Sequence, residues 1–172
     1  DKVDKLRFEK DDVLKMMHEI DNKKKDLFMQ TFKIIDKNFQ RIFSSLSTKG
    51  NGHLELENEE DIFNTGIDIK VKIIGNKFLD IRALSGGEKT MTALAFIFSI
   101  QEYDPAPFYL LDEVDAALDK TNSELLSKLI QKYASNAQYI VISHNDNIIS
   151  EAEYIYGVSM QNEVSKVVSL KI

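Results

Sequence analysis

The chain has 172 residues, room for one compact domain, and its 43% hydrophobic and 29% charged content is that of an ordinary soluble globular protein. It contains no cysteine, which excludes disulfides and thiolate metal sites and fits a reducing, cytoplasmic setting. A net charge of −6 excludes a generally basic nucleic-acid surface while leaving a local basic patch open, no apolar run approaches the ~18 residues that cross a bilayer, and no charged-then-apolar leader is present.

The first element opens on Asp1 within a charged, helix-like run, the pattern of a piece cut from a longer chain. Leu6, Val13, Ile20, Leu27 and Ile34 recur at intervals of seven among Lys, Asp and Glu. That spacing is the narrow seam of a coiled-coil helix. The second seam row is weak, with Lys10, Met17, Lys24 and Thr31. One strand of an imperfect antiparallel coiled coil has this pattern, and so does a long surface helix lying on a domain. Periodicity alone weighs the two evenly. From Leu27 the apolar face widens through Phe28, Phe32, Ile35, Phe39, Ile42, Phe43 and Leu46, as in a helix entering a globular core. The run from Ser47 to Gly52 breaks it. An arm thus meets a domain near residue 30 without a flexible linker, and the chain divides into a helical segment, 1–46, and a domain, 47–172.

Strands and helices alternate beyond that point. Ile67, Ile69, Val71 and Ile73 alternate with Asp68, Lys70 and Lys72, a half-buried strand. Gly75-Asn76 reads as a turn and Phe78 to Ile81 as its return strand. A helix runs from about Gly86 to Gln101 and ends at Asp104-Pro105-Ala106-Pro107, which holds both prolines of the chain. Phe108–Leu111 and Tyr139–Ile142 read as buried strands, with a helix from about Thr121 to Ala134 between them. Ile155–Met160 and Val164–Leu170 form a terminal hairpin. The predicted class is α/β, a mainly parallel sheet flanked by helices.

Four places carry candidate chemistry. Ser85 and Glu88 of Leu84-Ser85-Gly86-Gly87-Glu88 have capping-box spacing. Gly86 and Gly87 leave their N–H groups uncovered at a helix N-terminus, where phosphate is attracted. Alone, this motif is more simply a helix cap with nothing bound. Phe108-Tyr109-Leu110-Leu111-Asp112-Glu113 is an apolar strand ending in two acids, at the strand end where ligands bind in open α/β sheets. Asp112 is suited to hold Mg²⁺ through water, and Glu113 to orient or deprotonate a water attacking a γ-phosphate. Asp119 of Ala117-Leu118-Asp119 is equally suited to cap the next helix, as is Thr121 with Glu124. His144, one of three histidines, follows a buried strand within Ser143-His144-Asn145, where a ring can reach a γ-phosphate.

Order and spacing carry what the single motifs do not. Leu-Ser-Gly-Gly-Glu resembles the ABC ATPase signature, 108–113 resembles Walker B, Asp119 the D-loop acid and His144 the switch histidine. The block from Asp104 to Asp119 closely resembles that of SMC (structural maintenance of chromosomes) proteins. Val114-Asp115 follows the catalytic-type Glu where transporter and repair ATPases tend to carry Pro. The tail from Tyr154 to Ile172, with Gly-Val-Ser-Met at 157–160, is SMC-like as well. The resemblance covers about residues 30–172, and the heptad segment falls where an SMC arm enters its head.

The family pattern is incomplete. A P-loop requires G-x-x-x-x-G-K-[ST], and no segment fits; in Gly87-Glu88-Lys89-Thr90, Glu88 separates glycine from lysine. The resemblance therefore implies the C-terminal lobe of an ABC-type P-loop ATPase head, of prokaryotic type, with an N-terminal coiled-coil stub. It implies ATP and Mg²⁺ as ligands, with Asp112 the metal acid and Glu113 and His144 catalytic. Ser85, Gly86, Gly87, Glu88 and Asp119 would meet ATP across a head–head interface. Implied partners are the P-loop half of the same head, a second SMC head, a kleisin subunit and DNA, in the nucleoid and without a membrane. The competing reading is a coiled-coil ABC ATPase of double-strand-break repair. A transporter nucleotide-binding domain fits the heptad and Val114 poorly. A non-catalytic scaffold fits poorly with an intact Asp112-Glu113 pair.

Overall fold

The heptad seam and the wider aromatic stripe behind it lie on one unbroken helix, α1 (Lys2–Leu46). The computed structural model of the chain describes residues 2–47, 50–73 and 77–171, the side chain of Lys171 excepted. Residues 2–27 of α1 are exposed throughout, including the seam residues Leu6, Val13, Ile20 and Leu27. The last turns are different. Phe39, Ile42, Phe43 and Leu46 share one face and are buried, the i, i+3, i+4, i+7 spacing of a core-facing stripe. Polar ties add direction: Asp36 Oδ1 accepts the Leu54 N–H at 2.7 Å, and Arg41 pairs with Glu102, which also accepts from the Tyr133 hydroxyl.

Strands β1 (Asn51–Leu56), β2 (Ile67–Lys72) and β3 (Leu79–Asp80) form an antiparallel sheet in that order. β1 falls partly where the sequence reads as a break. Its Gly52 is the reason. Gly52 lies opposite Val71, and a Cβ there would sit 2.9 Å from the Phe39 ring. A glycine inside a strand often marks such a close approach. The return strand expected over Phe78–Ile81 is shorter, because the Asp80 side chain accepts the Arg82 N–H and starts a 3-10 turn at Ile81. The expected Gly75-Asn76 turn lies outside the described residues.

Helix α2 (Gly86–Tyr103), strand β4 (Phe108–Asp112), helix α3 (Lys120–Ala134), strand β5 (Gln138–Ile142) and the short helix α4 (Asp146–Ile149) follow. β4 and β5 pair in parallel, Asp112 opposite Ile142. The parallel pairing of an α/β lobe is carried by these two strands, and the other two sheets are antiparallel. Leu94, Ala95 and Phe98 of α2, Leu126, Leu129 and Ile130 of α3, Leu111 of β4 and Ile148 of α4 complete one core with the α1 stripe, Leu54 and Val71. Phe98 is wholly buried between Tyr133 and Tyr139, with ring centroids 5.1 and 6.0 Å away. Burial raises the Tyr139 phenol pKa well above its ordinary value, and the hydroxyl donates to Gln101 Oε1 at 2.8 Å.

One expectation needs correction. β4 and β5 are not buried on both faces: Phe108 and Leu110 are 58% and 60% exposed, and Ile140 and Ile142 are exposed beside them. The helices of this chain cover only the face carrying Leu111, Tyr139 and Val141. The terminal hairpin, β6 (Tyr154–Gln161) with β7 (Val164–Lys171), turns through Asn162 and Glu163, both at positive φ. That is the geometry a two-residue type I′ loop demands.

Candidate functional site

Parallel pairing puts the carboxyl ends of β4 and β5 at the same edge of their sheet. Asp112 closes β4, and Glu113 turns away from it with φ 47°. The left-handed region costs a non-glycine residue about 1–2 kcal/mol and recurs at functional sites. The Glu113 N–H donates to the Ile142 carbonyl at 2.9 Å, so the turn is tied to the end of β5. Two residues beyond Ile142, His144 is 92% exposed, with Nε2 3.7 Å from Glu113 Oε1. The separation exceeds a direct hydrogen bond. The structure thus brings Asp112, Glu113 and His144, 32 positions apart at the extremes of sequence, to one edge.

Asp112 is exposed, and its carboxylate has no hydrogen-bond or ion-pair partner among the described residues. Among those residues no cluster of three or more metal-ligating side chains occurs. A lone free carboxylate is the wrong donor set for a protein-enclosed metal. It fits Mg²⁺, which keeps several waters and binds through one or two carboxylates plus phosphate oxygens.

The signature-like segment is a separate group. Ser85 is the N-cap of α2 in a capping box. Glu88 accepts from the Ser85 hydroxyl at 2.7 Å and from its N–H at 2.9 Å, and these bonds, the hydroxyl's first, hold the Glu88 carboxyl below its ordinary pKa. Beyond that box, no hydrogen bond or ion pair among the described residues joins 85–88 to Asp112, Glu113 or His144. A Cβ at Gly86 would meet nothing within 4 Å, so the space over the helix start is open; at Gly87 it would lie 3.0 Å from the Ala117 carbonyl oxygen. The helix start therefore fits a phosphate ligand, with free N–H groups and uncovered approach. Asp119 is the N-cap of α3 and accepts the Asn122 N–H at 2.8 Å, the capping role open to it from sequence.

Residues outside the candidate set support this edge. Asp115 is buried and accepts from Ser143, and Asn145 reaches Ser123. Their sequence signals were thin. Asp115 stood out for following Glu113, while Ser143 and Asn145 merely flank His144.

Comparison with known proteins gives the lineage. The family model described as RecF/RecN/SMC N terminal domain matches residues 4–166. The chromosome partition protein Smc of Pyrococcus furiosus is 47% identical over 99% of this chain, which spans 14% of that protein's length. The structure of the Smc head domain with an extended coiled coil, from the same organism and bound to the C-terminal domain of ScpA, superposes with a TM-score of 0.91 at 47% identity, covering 98% of this chain and 42% of that one. A structure from work on ATP-driven dimerization and DNA-stimulated activation of SMC ATPases matches with a TM-score of 0.78 at 47% identity, covering 86% of this chain and 89% of that one. The chain belongs to the SMC family and carries the α/β fold of an SMC head lobe with its helical stub.

Proposed function

We propose that this chain is the C-terminal half of an SMC ATPase head and that it hydrolyses ATP only with the P-loop-bearing N-terminal half. The observation that carries the reading is the shared carboxyl edge of β4 and β5, where Asp112, Glu113 and His144 converge in a chain without a P-loop sequence. Asp112 would hold Mg²⁺ through water, and when bound the ion offsets charge on the transferring phosphoryl group. Glu113 orients the attacking water and draws its proton. His144 contributes a hydrogen bond at the same edge. Ser85, Gly86 and Gly87, with Glu88 bracing the turn, contact ATP held by the P-loop of an opposing head. Asp119, two residues beyond the Ala117 carbonyl that leaves no room for a side chain on Gly87, couples the two sites.

The whole protein's role follows the family. Residues 1–46 form the arm entering the head and 47–172 the half-head. ATP-driven pairing of heads, a kleisin of the ScpA type and DNA are the partners, and the work is chromosome condensation and segregation on the nucleoid. Among the described residues no helix is long and apolar enough to cross a membrane.

The test is ATP binding and turnover by this chain alone and mixed with a P-loop-bearing N-terminal half. Activity is expected only in the mixture. Glu113→Gln should keep ATP binding and head pairing while lowering turnover at least about 100-fold, the scale of a lost general base. Ser85→Arg should keep ATP binding by single heads and block pairing. Tight ATP binding by this chain alone overturns the half-head reading. Normal turnover in Glu113→Gln removes that residue from catalysis, and ATP-driven pairing of Ser85→Arg heads removes the signature role.

A further inference from the structure

The loop carrying His144 is held on both sides by side chains to which the four motifs assign no role of their own. Asp115 is 6% exposed, and buried carboxylates persist only with partners. Its Oδ2 accepts from the Ser143 hydroxyl at 2.8 Å. The same hydroxyl oxygen accepts the Asn145 N–H at 2.9 Å. Asn145 then donates through Nδ2 to Ser123 Oγ at 2.9 Å, on the wholly buried face of α3, and accepts the Asn147 N–H through Oδ1 at 3.0 Å. Ser143 has one proton, and Asp115 takes it, so the lone pairs of its oxygen are left to face Asn145. The network is thus directional. It pins the residue before His144 to the loop after β4 and the residue after it to α3. The imidazole takes no part in this network and stands 3.7 Å from Glu113 Oε1.

We infer that Asp115, Ser143, Asn145 and Ser123 are positioning residues for ATP turnover, a clamp that fixes the main chain on either side of His144 so that its ring stands beside Glu113. The inference rests on the roles proposed above for Glu113 and His144. A network serving stability alone is disturbed in a different way: it lowers the unfolding midpoint and every function together. A clamp acting through His144 changes the chemical step and leaves nucleotide binding in place. Misplacement of a reacting group by ~1 Å costs up to about 100-fold in rate, so loss of one tie should be measurable.

The experiment uses the complete head, both halves present. Ser143→Ala removes a single oxygen; it should lower kcat about tenfold or more, with KM for ATP within about twofold and head pairing intact. Asp115→Ala should match it, while Asp115→Asn, whose amide oxygen still accepts from Ser143, should recover most of the rate. His144→Ala should lower kcat, and adding Ser143→Ala to it should cost little more. Four outcomes overturn the clamp: wild-type kcat in Ser143→Ala, Asp115→Asn as impaired as Asp115→Ala, wild-type kcat in His144→Ala, or full additivity of Ser143→Ala with His144→Ala. Glu113→Gln separates the two readings. Normal turnover there removes the site itself, whereas an inactive Glu113→Gln beside an unaffected Ser143→Ala removes only the clamp.

Discussion

Gly86 and Gly87 are adjacent and are glycines for different physical reasons. A side chain on Gly87 would press on the Ala117 carbonyl at 3.0 Å, and a backbone atom cannot swing aside. On Gly86 it would enter open space. In urea unfolding of this chain, Gly87→Ala should therefore cost about 1 kcal/mol through overpacking. Gly86→Ala should stabilise by about 0.5 kcal/mol, because alanine loses less backbone entropy on folding. In the complete head the order is expected to reverse in meaning: Gly86→Ala weakens ATP-driven pairing although the fold is unharmed. A Gly86→Ala head that pairs normally would leave that glycine without a nucleotide role. Glu113 makes the complementary case, since it sits in a left-handed conformation that glycine would adopt without strain and carries the carboxylate proposed above to orient the attacking water.

Helix α1 is one element with two environments. Along residues 2–27 its apolar side chains face solvent, and no described residue buries them. Near Leu46 its stripe is part of the core, tied to α2 by Arg41–Glu102 and to β1 by Asp36. The double substitution Val13→Ser, Ile20→Ser should leave the unfolding free energy of the chain within about 0.5 kcal/mol of the parent, since exposed sites without partners contribute little. Phe43→Ala should cost about 3–5 kcal/mol, the range for a deleted core aromatic. Chemical denaturation of both variants checks the contrast. A large loss in the first would show that the arm residues pack within the chain.

At the scale of the molecule, the sheets leave apolar surface uncovered. Phe108, Leu110, Ile140 and Ile142 form one exposed face, and Val158, Met160, Val167 and Val168 are exposed on the terminal hairpin. Large contiguous apolar patches mark interaction surfaces, and the proposed N-terminal half is the partner that would cover this face. The chain alone should bind a hydrophobic dye strongly, and titration with the N-terminal half should displace it. Leu110→Lys should leave the isolated chain folded, because that side chain is already in water, and weaken the association at least about tenfold. Unchanged dye binding on mixing would place the docking surface elsewhere.

The sequence by itself determined the periodic elements: the α1 seam and stripe, α2 with its Ser85–Glu88 box, α3, the strands expected over Phe108–Leu111 and Tyr139–Ile142, and the terminal hairpin. Those signals are local, set by spacing and capping chemistry within a few residues. β1 was hidden because Gly52 answers to the Phe39 ring, a contact 13 positions away in sequence. The two-sided burial expected for β4 and β5 failed for a related reason. An apolar strand reports that both faces avoid water in the finished protein, not which chain covers them. Asp119 had two roles open to it from sequence, and the structure shows one of them, the cap of α3. Only the tertiary structure decided that Glu113 and His144 meet and that Asp115 and Ser123 grip the residues beside His144. Those relations depend on the parallel register of β4 and β5 and on the packing of α3, and such long-range geometry leaves no period in a single sequence.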